Sequence, residues 1–188
     1  MQLNCLNYAL RYIEKCFPKA FIDEALKRFD IVCYESSRGK TTVTFVPRNL
    51  SHVIESLRSR GVDIVRAGIV IGWIKGQNFV PSPHLFSLAR ELGYEYGCAV
   101  VVKEQGVKAF LYGNDILLSS VEKVVCPAQR GWYVAVVDPT DGTVIGIGRL
   151  LLSPEEIEEA LKRGEMLRPV VKNVFDLGLA IRDEHYFL

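Results

Sequence analysis

The sequence predicts an α+β protein made of two domains. Its 188 residues suffice for two small domains. In the first half, apolar residues recur at helical spacing on either side of alternating, β-branched segments, which indicates helices packed on an antiparallel sheet. From Ala99 the pattern changes to short strands and tight turns. We place the boundary at 93–97 and predict an α/β domain over residues 1–97, followed by a second domain over residues 98–188.

Apolar spacing and terminal residues define the elements of the first domain. Pro18 ends the first predicted helix, and Ser82 with Pro83 begins the last one as N-cap and first helical residue. The helices are predicted over residues 3–17, 21–29, 50–57 and 83–92. Strands are predicted over residues 31–34 and 41–46, as a β-hairpin, and twice within residues 64–80.

The second domain combines short strands with two helices. The turn at 111–115 is expected to lead into a short helix at 116–118. Residues 153–156 form a capping box with proline at the first helical position, so a longer helix begins there, and Gly164 ends it. Strands are predicted over residues 99–103, 121–126, 132–137 and 143–149, with a final extended segment over 168–182.

The composition is that of an ordinary globular chain. Hydrophobic residues make up 49% and charged residues 24% of the sequence. It contains no run of 18 apolar residues and no secretory signal pattern, so we expect an intracellular protein. The five cysteines are scattered without a C-x-x-C pair, which favours buried reduced thiols over a metal site. No cofactor is expected.

Charge is distributed unevenly between the two halves. The net charge of the chain is only +1. Residues 1–97 carry 13 Lys and Arg against 9 Asp and Glu, a net +4, whereas residues 98–188 carry 10 against 13, a net −3. A phosphate-binding surface in the second half must therefore be a local patch.

Three short motifs suggest chemistry but lack the context that the chemistry needs. Residues 37–41 resemble the end of a phosphate-binding loop, yet the motif's first glycine is missing and a strand-like segment follows. The glycines in 146–148 lack the third glycine of a dinucleotide fingerprint and fit a strand approached closely by another backbone. Residues 183–185, Asp-Glu-His, lie at the C-terminal end, without rigid support. Since His52 and His84 also lack partners at metal-binding spacing, we predict no catalytic or metal site.

The order of motifs in the second half resembles a PUA domain. A valine-rich strand at 100–102 is followed by Phe-Leu-Tyr-Gly-Asn at 110–114, a hairpin strand at 132–137, and Gly-Ile-Gly-Arg at 146–149. The resemblance covers residues 98–150. It implies a small mixed β-barrel of the kind found in RNA-modifying enzymes and ribosome assembly factors. The fold expected for the whole chain is then an antiparallel sheet with helices, followed by a PUA mixed β-barrel.

Residues 64–182 resemble, more narrowly, the Nip-seven family of PUA proteins that assist large ribosomal subunit assembly. The resemblance rests on residues 67–75, on Gln-Asn-Phe at 77–79, and on the ending Asp-x-Gly-x-x-x-Arg at 176–182. It implies a non-catalytic RNA-binding protein in pre-ribosomal RNA processing, cytoplasmic in an archaeon and nucleolar in a eukaryote. Residues 1–97 are then expected to contact other assembly factors or the exosome, and no membrane partner is expected.

The candidate RNA-binding residues are cations and one turn of the second domain. Tyr112 and Asn114 lie in a turn predicted to open a helix, where backbone amides can face a phosphate. The resemblance places Arg149 beside that turn, and we predict an RNA groove running from the turn past Arg149 to Arg168 and Lys172. A core position for Tyr112 and helix-dipole pairing for Lys162 and Arg163 are the structural alternatives. The full predicted set is Lys103, Lys108, Tyr112, Gly113, Asn114, Arg149, Arg163, Arg168 and Lys172.

Two alternative functions keep the RNA-binding domain but change its role. PUA domains also accompany RNA-modifying enzymes, but the first 97 residues are too few for such a catalytic domain, which leaves an accessory role in an RNA-modifying system. An adaptor that regulates RNA decay, linked to the exosome, would dock a protein through its first domain. That adaptor would show a contiguous apolar patch on residues 1–60.

Overall fold

The chain forms two compact units, Met1–Glu95 and Tyr96–Leu188. A computed structural model describes residues 2–35, 39–64 and 66–182. The loop motif at 37–41 lies partly, and the Asp-Glu-His motif at 183–185 wholly, outside the described residues. Within those described, no helix has both the length and the apolar character needed to cross a membrane.

The N-terminal unit is an antiparallel meander of four strands with helices, as the sequence predicts. The strands lie in the order β1-β2-β3-β4 and pair antiparallel throughout. The predicted hairpin strands β1 and β2 pair from Phe29 with Pro47 to Glu35 with Thr41, and the turn around Gly76 joins β3 to β4. The elements are α1 (Gln2–Cys16), α2 (Lys19–Arg28), β1 (Phe29–Glu35), β2 (Thr41–Pro47), α3 (Arg48–Ser59), β3 (Ile69–Lys75), β4 (Asn78–Pro81) and α4 (Pro83–Glu91).

The helices of this unit differ in how much apolar surface they bury. Phe21 of α2 and Phe86 of α4 are fully buried, and the ring of Phe17 lies 5.0 Å and 5.2 Å from these two rings. Helix α3 instead has no buried residue, although it carries an apolar stripe. Leu50, Val53 and Leu57 are all exposed. The core of the unit is therefore built by the other helices and the sheet.

The expectation of reduced thiols is wrong for four of the five cysteines, because Cys5, Cys16, Cys33 and Cys98 are disulfide-bonded and Cys126 is free. Cys5 of α1 and Cys33 of β1 form a disulfide bond, with their Cα atoms 6.7 Å apart. Scattered spacing did not reveal the pair, because the cysteines are 28 residues apart and meet only when α1 packs on β1. Closing a loop of this length stabilises a folded chain by about 3–4 kcal/mol in the chain-entropy model.

The C-terminal unit is a curled mixed sheet with helices. Its six strands lie in the order β6-β10-β9-β8-β5-β7, and β5 pairs parallel with β8 while the other pairs are antiparallel. A 3₁₀ helix spans Leu118–Ser120. The other elements are β5 (Ala99–Val102), α5 (Glu104–Leu111), β6 (Ile116–Leu117), β7 (Val121–Val125), β8 (Tyr133–Val137), β9 (Val144–Leu150), α6 (Pro154–Lys162), β10 (Pro169–Asp176) and α7 (Leu179–Arg182).

Helix α6 begins where the sequence predicts. The hydroxyl of Ser153 accepts a hydrogen bond from the backbone N–H of Glu156 at 3.2 Å, and the Glu156 carboxylate accepts one from the N–H of Ser153 at 2.7 Å. This confirms the capping box. The short helix predicted at 116–118 is wrong, because Ile116 and Leu117 pair with β10 as strand β6.

The close backbone approach predicted at the glycines of β9 is confirmed. A Cβ atom on Gly146 would overlap the carbonyl oxygen of Phe175 and lie 2.7 Å from the Cα of Asp176. A Cβ atom on Gly148 would overlap the side chain of Val171. Strands β9 and β10 therefore approach each other so closely that no larger residue fits at either position.

We expect Gly146→Ala to lower the free energy of unfolding by about 3 kcal/mol, because backbone atoms cannot move aside as a side chain can. Gly164→Ala is the control, since a Cβ there meets nothing within 4 Å and only the positive φ of 71° opposes it. That substitution should cost about 1–2 kcal/mol. Urea denaturation measures both, and equal losses would contradict the interpretation.

Candidate nucleic-acid interface

Two cations and an aromatic residue form a row across three neighbouring strands of the C-terminal unit. Arg149 of β9 lies directly opposite Tyr133 of β8 and Lys172 of β10. Side chains at directly opposed positions share a face, with Cβ atoms about 4.5–5.5 Å apart. Arg149 is the one exposed residue of its strand, which is otherwise buried. The fold thus brings together two of the predicted RNA-binding residues.

The side-by-side cations of this row lack a carboxylate partner. Within the described part of the chain, neither Arg149 nor Lys172 forms an ion pair. Like charges directly opposite each other destabilise a sheet by up to about 1 kcal/mol. An anion that binds between them would relieve this repulsion. The row of Tyr133, Arg149 and Lys172, which we call the Arg149 row, is therefore suited to hold a phosphate.

The guanidinium of Arg149 is oriented by the neighbouring turn. Its Nε donates a hydrogen bond of 3.2 Å to the carbonyl oxygen of Gly131, just before β8. The two terminal nitrogens of Arg149 make no hydrogen bond within the described residues. These nitrogens form the planar fork with which arginine binds phosphate.

The turn at 112–114 differs from the prediction. It ends helix α5 and does not open one, because Tyr112 is the C-cap and strand β6 follows. Unsatisfied carbonyls give a helix C-terminus a partial negative charge, so the backbone-amide argument for phosphate at Tyr112 and Asn114 is wrong. Gly113 has the predicted positive φ, at 87°. The side chain of Tyr112 is 75% exposed, which excludes the core position for its ring.

The turn and the Arg149 row lie on opposite faces of β10. Asn173 donates its backbone N–H to Asp115 at 2.8 Å and its side-chain amide to the carbonyl of Phe110 at 2.9 Å. These bonds tie the end of α5 to the face of β10 that Asn173 occupies. Since consecutive residues of a strand point to opposite faces, Lys172 points away from it. The structure does not join these residues into the single groove that we predicted.

The other predicted cations are partly neutralised or anchored. Lys108 is bonded to Glu104 at 2.9 Å, and this hydrogen bond and the charge of Glu104 raise the pKa of Lys108. The ammonium of Lys103 donates to the carbonyl of Ser119 at 2.9 Å. Both remaining arginines bind one carboxylate, with Arg163 and Arg168 at 2.9 Å and 2.7 Å from Glu165. The role of these four residues in RNA binding stays a prediction.

Tyr133 was absent from the predicted set, although it lies beside Arg149. Its strand was predicted, but the register of β8 against β9 was not, and only the register shows which aromatic residue shares a face with Arg149. The ring is half-buried. Aromatic faces beside arginines stack on nucleic-acid bases.

The predicted ending at 176–182 folds into a buried polar network. The carboxylate of Asp176 is 2% exposed and accepts hydrogen bonds from Asn173 at 3.2 Å and from Arg182 at 2.9 Å. Position 178, between Asp176 and Arg182 in the chain, must be glycine, because a Cβ atom there would overlap the carbonyl oxygen of Leu111. The network fixes the last described residues against the end of α5.

Comparison with known protein families and structures agrees with this fold. Residues 98–185 match the model of the UPF0113 PUA domain family. The chain is similar over its whole length to a hypothetical protein from Pyrococcus horikoshii OT3, with a TM-score of 0.65, 16% identity and coverage of 95% of that protein. The C-terminal unit therefore has the fold of a PUA domain.

Two further solved structures share the fold. A conserved PUA domain protein from Thermoplasma acidophilum has a TM-score of 0.54 at 11% identity, over 83% of this chain and 85% of that one. A PUA domain protein from Aeropyrum pernix K1, solved as a tartrate complex, has a TM-score of 0.54 at 16% identity, over 89% and 87% of the two chains.

One curated protein matches part of the chain. The chloroplastic protein translocase subunit SECA2 of Arabidopsis thaliana is 31% identical over 100 residues. The aligned segment covers 52% of this chain and only 9% of that protein.

The buried network at 176–182 is expected to contribute to the free energy of unfolding through Arg182. Arg182→Ala would leave the Asp176 carboxylate buried with only the amide of Asn173 as partner among the described residues. We expect a loss of about 2–4 kcal/mol in the free energy of unfolding, measured by urea denaturation. Adding Asp176→Asn to this variant removes the uncompensated charge and should recover part of the loss. No recovery would show that the Arg182 side chain stabilises by packing alone.

Proposed function

We propose that this protein binds RNA through its PUA unit without catalysing a reaction. The observation that carries the proposal is the pair of adjacent cations, Arg149 and Lys172, exposed on neighbouring strands and without a carboxylate partner among the described residues. PUA domains generally bind RNA, and the match over residues 98–185 supports the same role here. The unit is negatively charged overall, so binding depends on this local patch.

We further propose that the RNA is a precursor of the large ribosomal subunit. The resemblance of residues 64–182 to the Nip-seven family supports this assignment, and the ending at 176–182 forms a buried network that explains the spacing of its residues. Sequencing of RNA crosslinked to the protein in cells tests the assignment. Enrichment of large-subunit precursor RNA is expected, and enrichment of transfer RNA or messenger RNA tails instead would favour a role in RNA modification or decay.

One observation favours an adaptor as a second candidate function. The stripe of Leu50, Val53 and Leu57 on α3 is exposed, as an adaptor that docks a protein through residues 1–60 would require. Leu50→Glu would disrupt the stripe at the end of α3 far from Arg58, and without touching the Arg149 row. If the adaptor function holds, this variant should bind RNA normally but lose co-sedimentation with precursor particles in a sucrose gradient.

Arg149 and Lys162, two exposed cations of the PUA unit, should differ in their contribution to RNA affinity. Arg149→Ala removes the oriented fork of the Arg149 row and should weaken RNA binding by about 1–3 kcal/mol, the range for charged hydrogen bonds. Lys162→Ala, which removes an exposed charge from the last turn of α6, is the matched control and should change little. Binding titrations of both variants, with melting curves, make the comparison. Equal weakening would place the RNA site at α6.

RNA binding should also depend on ionic strength. We expect about three to five phosphate contacts, so the logarithm of the association constant for single-stranded RNA should fall with the logarithm of salt concentration with a slope of about −2 to −3.5. Arg149→Ala should reduce the steepness by about 0.7, one contact. A binding constant that does not change with salt would contradict an electrostatic site.

A further inference from the structure

The N-terminal unit contains a cavity of about 790 Å³ at one end of its sheet. It is lined by the end of β1, the start of α1, the end of α3 and the segment that follows α3. A volume of this size falls within the range of about 300–1,000 Å³ that is typical of small-ligand sites. Gly39, Gly61 and Gly76 line its rim, and a Cβ atom on any of them would meet nothing within 4 Å.

Tyr34 in the wall of this cavity has an unsatisfied hydroxyl group. The residue is 5% exposed, and its hydroxyl oxygen has no hydrogen-bond partner among the described residues. A buried polar group without a partner lowers stability by about 1–3 kcal/mol. A ligand that supplies the missing partner would recover that free energy on binding.

Arg58 is positioned over the same tyrosine. Its guanidinium carbon lies 5.0 Å from the centroid of the Tyr34 ring, within cation–π distance. Arg58 makes no ion pair among the residues that the structure describes, and it lines the cavity. An arginine held by an aromatic ring, with its charge not neutralised, is suited to bind a phosphate.

The remaining residues at the cavity fit a nucleotide. Tyr8 supplies a half-buried aromatic ring for stacking, and the carboxylates of Glu35 and Asp63 can accept hydrogen bonds from the amino groups of a base edge. Arg58 is the cation among the described residues that line the cavity, and Lys40, Arg60 and Lys75 are chain neighbours of the rim glycines.

We propose that this cavity binds an unpaired nucleotide of single-stranded RNA, with Arg58 on the phosphate, Tyr8 against the base and the Tyr34 hydroxyl as a hydrogen-bonding partner. The inference rests on the proposed RNA-binding function but adds a second contact surface, in the N-terminal unit. It accounts for three independent observations: a cavity, a buried hydroxyl without a partner, and a cation held in the cavity wall without a carboxylate.

Tyr34→Phe is the sharpest test, because it removes only the hydroxyl and keeps the ring under Arg58. If the hydroxyl has no partner in the free protein, the melting temperature should stay the same or rise. The affinity for a short single-stranded RNA should fall about three- to tenfold. A variant that binds like the wild type would overturn the proposal, as would a loss of stability that matches the loss of affinity.

Arg58→Ala tests the phosphate contact, with Arg28→Ala as the charge-matched control. Arg28 is an exposed arginine of the same unit, bonded to Glu24, and does not line the cavity. Fluorescence titration of the full chain with the same RNA should show about five- to tenfold weaker binding for Arg58→Ala and less than twofold for Arg28→Ala. Equal effects of the two substitutions would overturn the proposal.

Repeating the titrations with Arg149→Ala and Lys172→Ala combined separates the two RNA surfaces. If the cavity binds RNA, this double variant keeps residual binding that Tyr34→Phe weakens further. If Tyr34→Phe and Arg58→Ala have no effect in the wild type or in the double variant, while the double variant itself binds weakly, the cavity inference fails and the PUA proposal stands. If instead Tyr34→Phe and Arg58→Ala weaken binding while the double variant binds like the wild type, the PUA proposal alone is refuted.

Crosslinks from RNA containing 4-thiouridine should map to peptides with Tyr8 or Tyr34, and crosslinks confined to the C-terminal unit would overturn the inference.

Discussion

The close approach of β9 and β10 is the constraint on which the C-terminal unit depends. Gly146 and Gly148 leave no side chain between the two backbones, so β10 can pair along β9 from Asp176 to Val171. This pairing places Lys172 beside Arg149 and brings Asn173 to the end of α5. One steric requirement thus positions both the charged row and the buried network.

The same pairing explains how a negatively charged unit can hold an anion site. Among the described residues, five of the ten cations in this unit are bonded to carboxylates, for example Lys108 to Glu104 and two arginines to Glu165. Ion pairs of this kind contribute little stability, but they remove positive potential from the surface. Arg149 and Lys172 keep their charge because their neighbours across the sheet are Tyr133 and each other. Local geometry, more than net charge, therefore decides where phosphate can bind.

Local sequence signals predicted the parts of the fold that local physics determines. The capping box at Ser153, the first-domain hairpin and the close-packed glycines of β9 each depend on residues near one another in the chain, and each is confirmed. The disulfide between Cys5 and Cys33 and the opposition of Arg149 to Lys172 depend on long-range pairing. No spacing rule reveals such contacts. The helix expected at 116–118 failed for the same reason, since its apolar residues pair with β10 as a strand.

The position of Tyr112 shows how an incorrect local structure can reverse a chemical argument. At a helix N-terminus its turn would attract phosphate, whereas at the C-terminus of α5 the carbonyls of the last turn repel it. The ring of Tyr112 is nevertheless exposed. A Cβ atom on Gly113 would lie 3.2 Å from a terminal nitrogen of Arg182, so the turn is closely packed on that side. Stacking on a base needs only an accessible aromatic face and no favourable backbone charge. If Tyr112 contacts RNA, it therefore does so through a base, while the phosphate is held elsewhere, on the face of the sheet that carries Arg149 and Lys172.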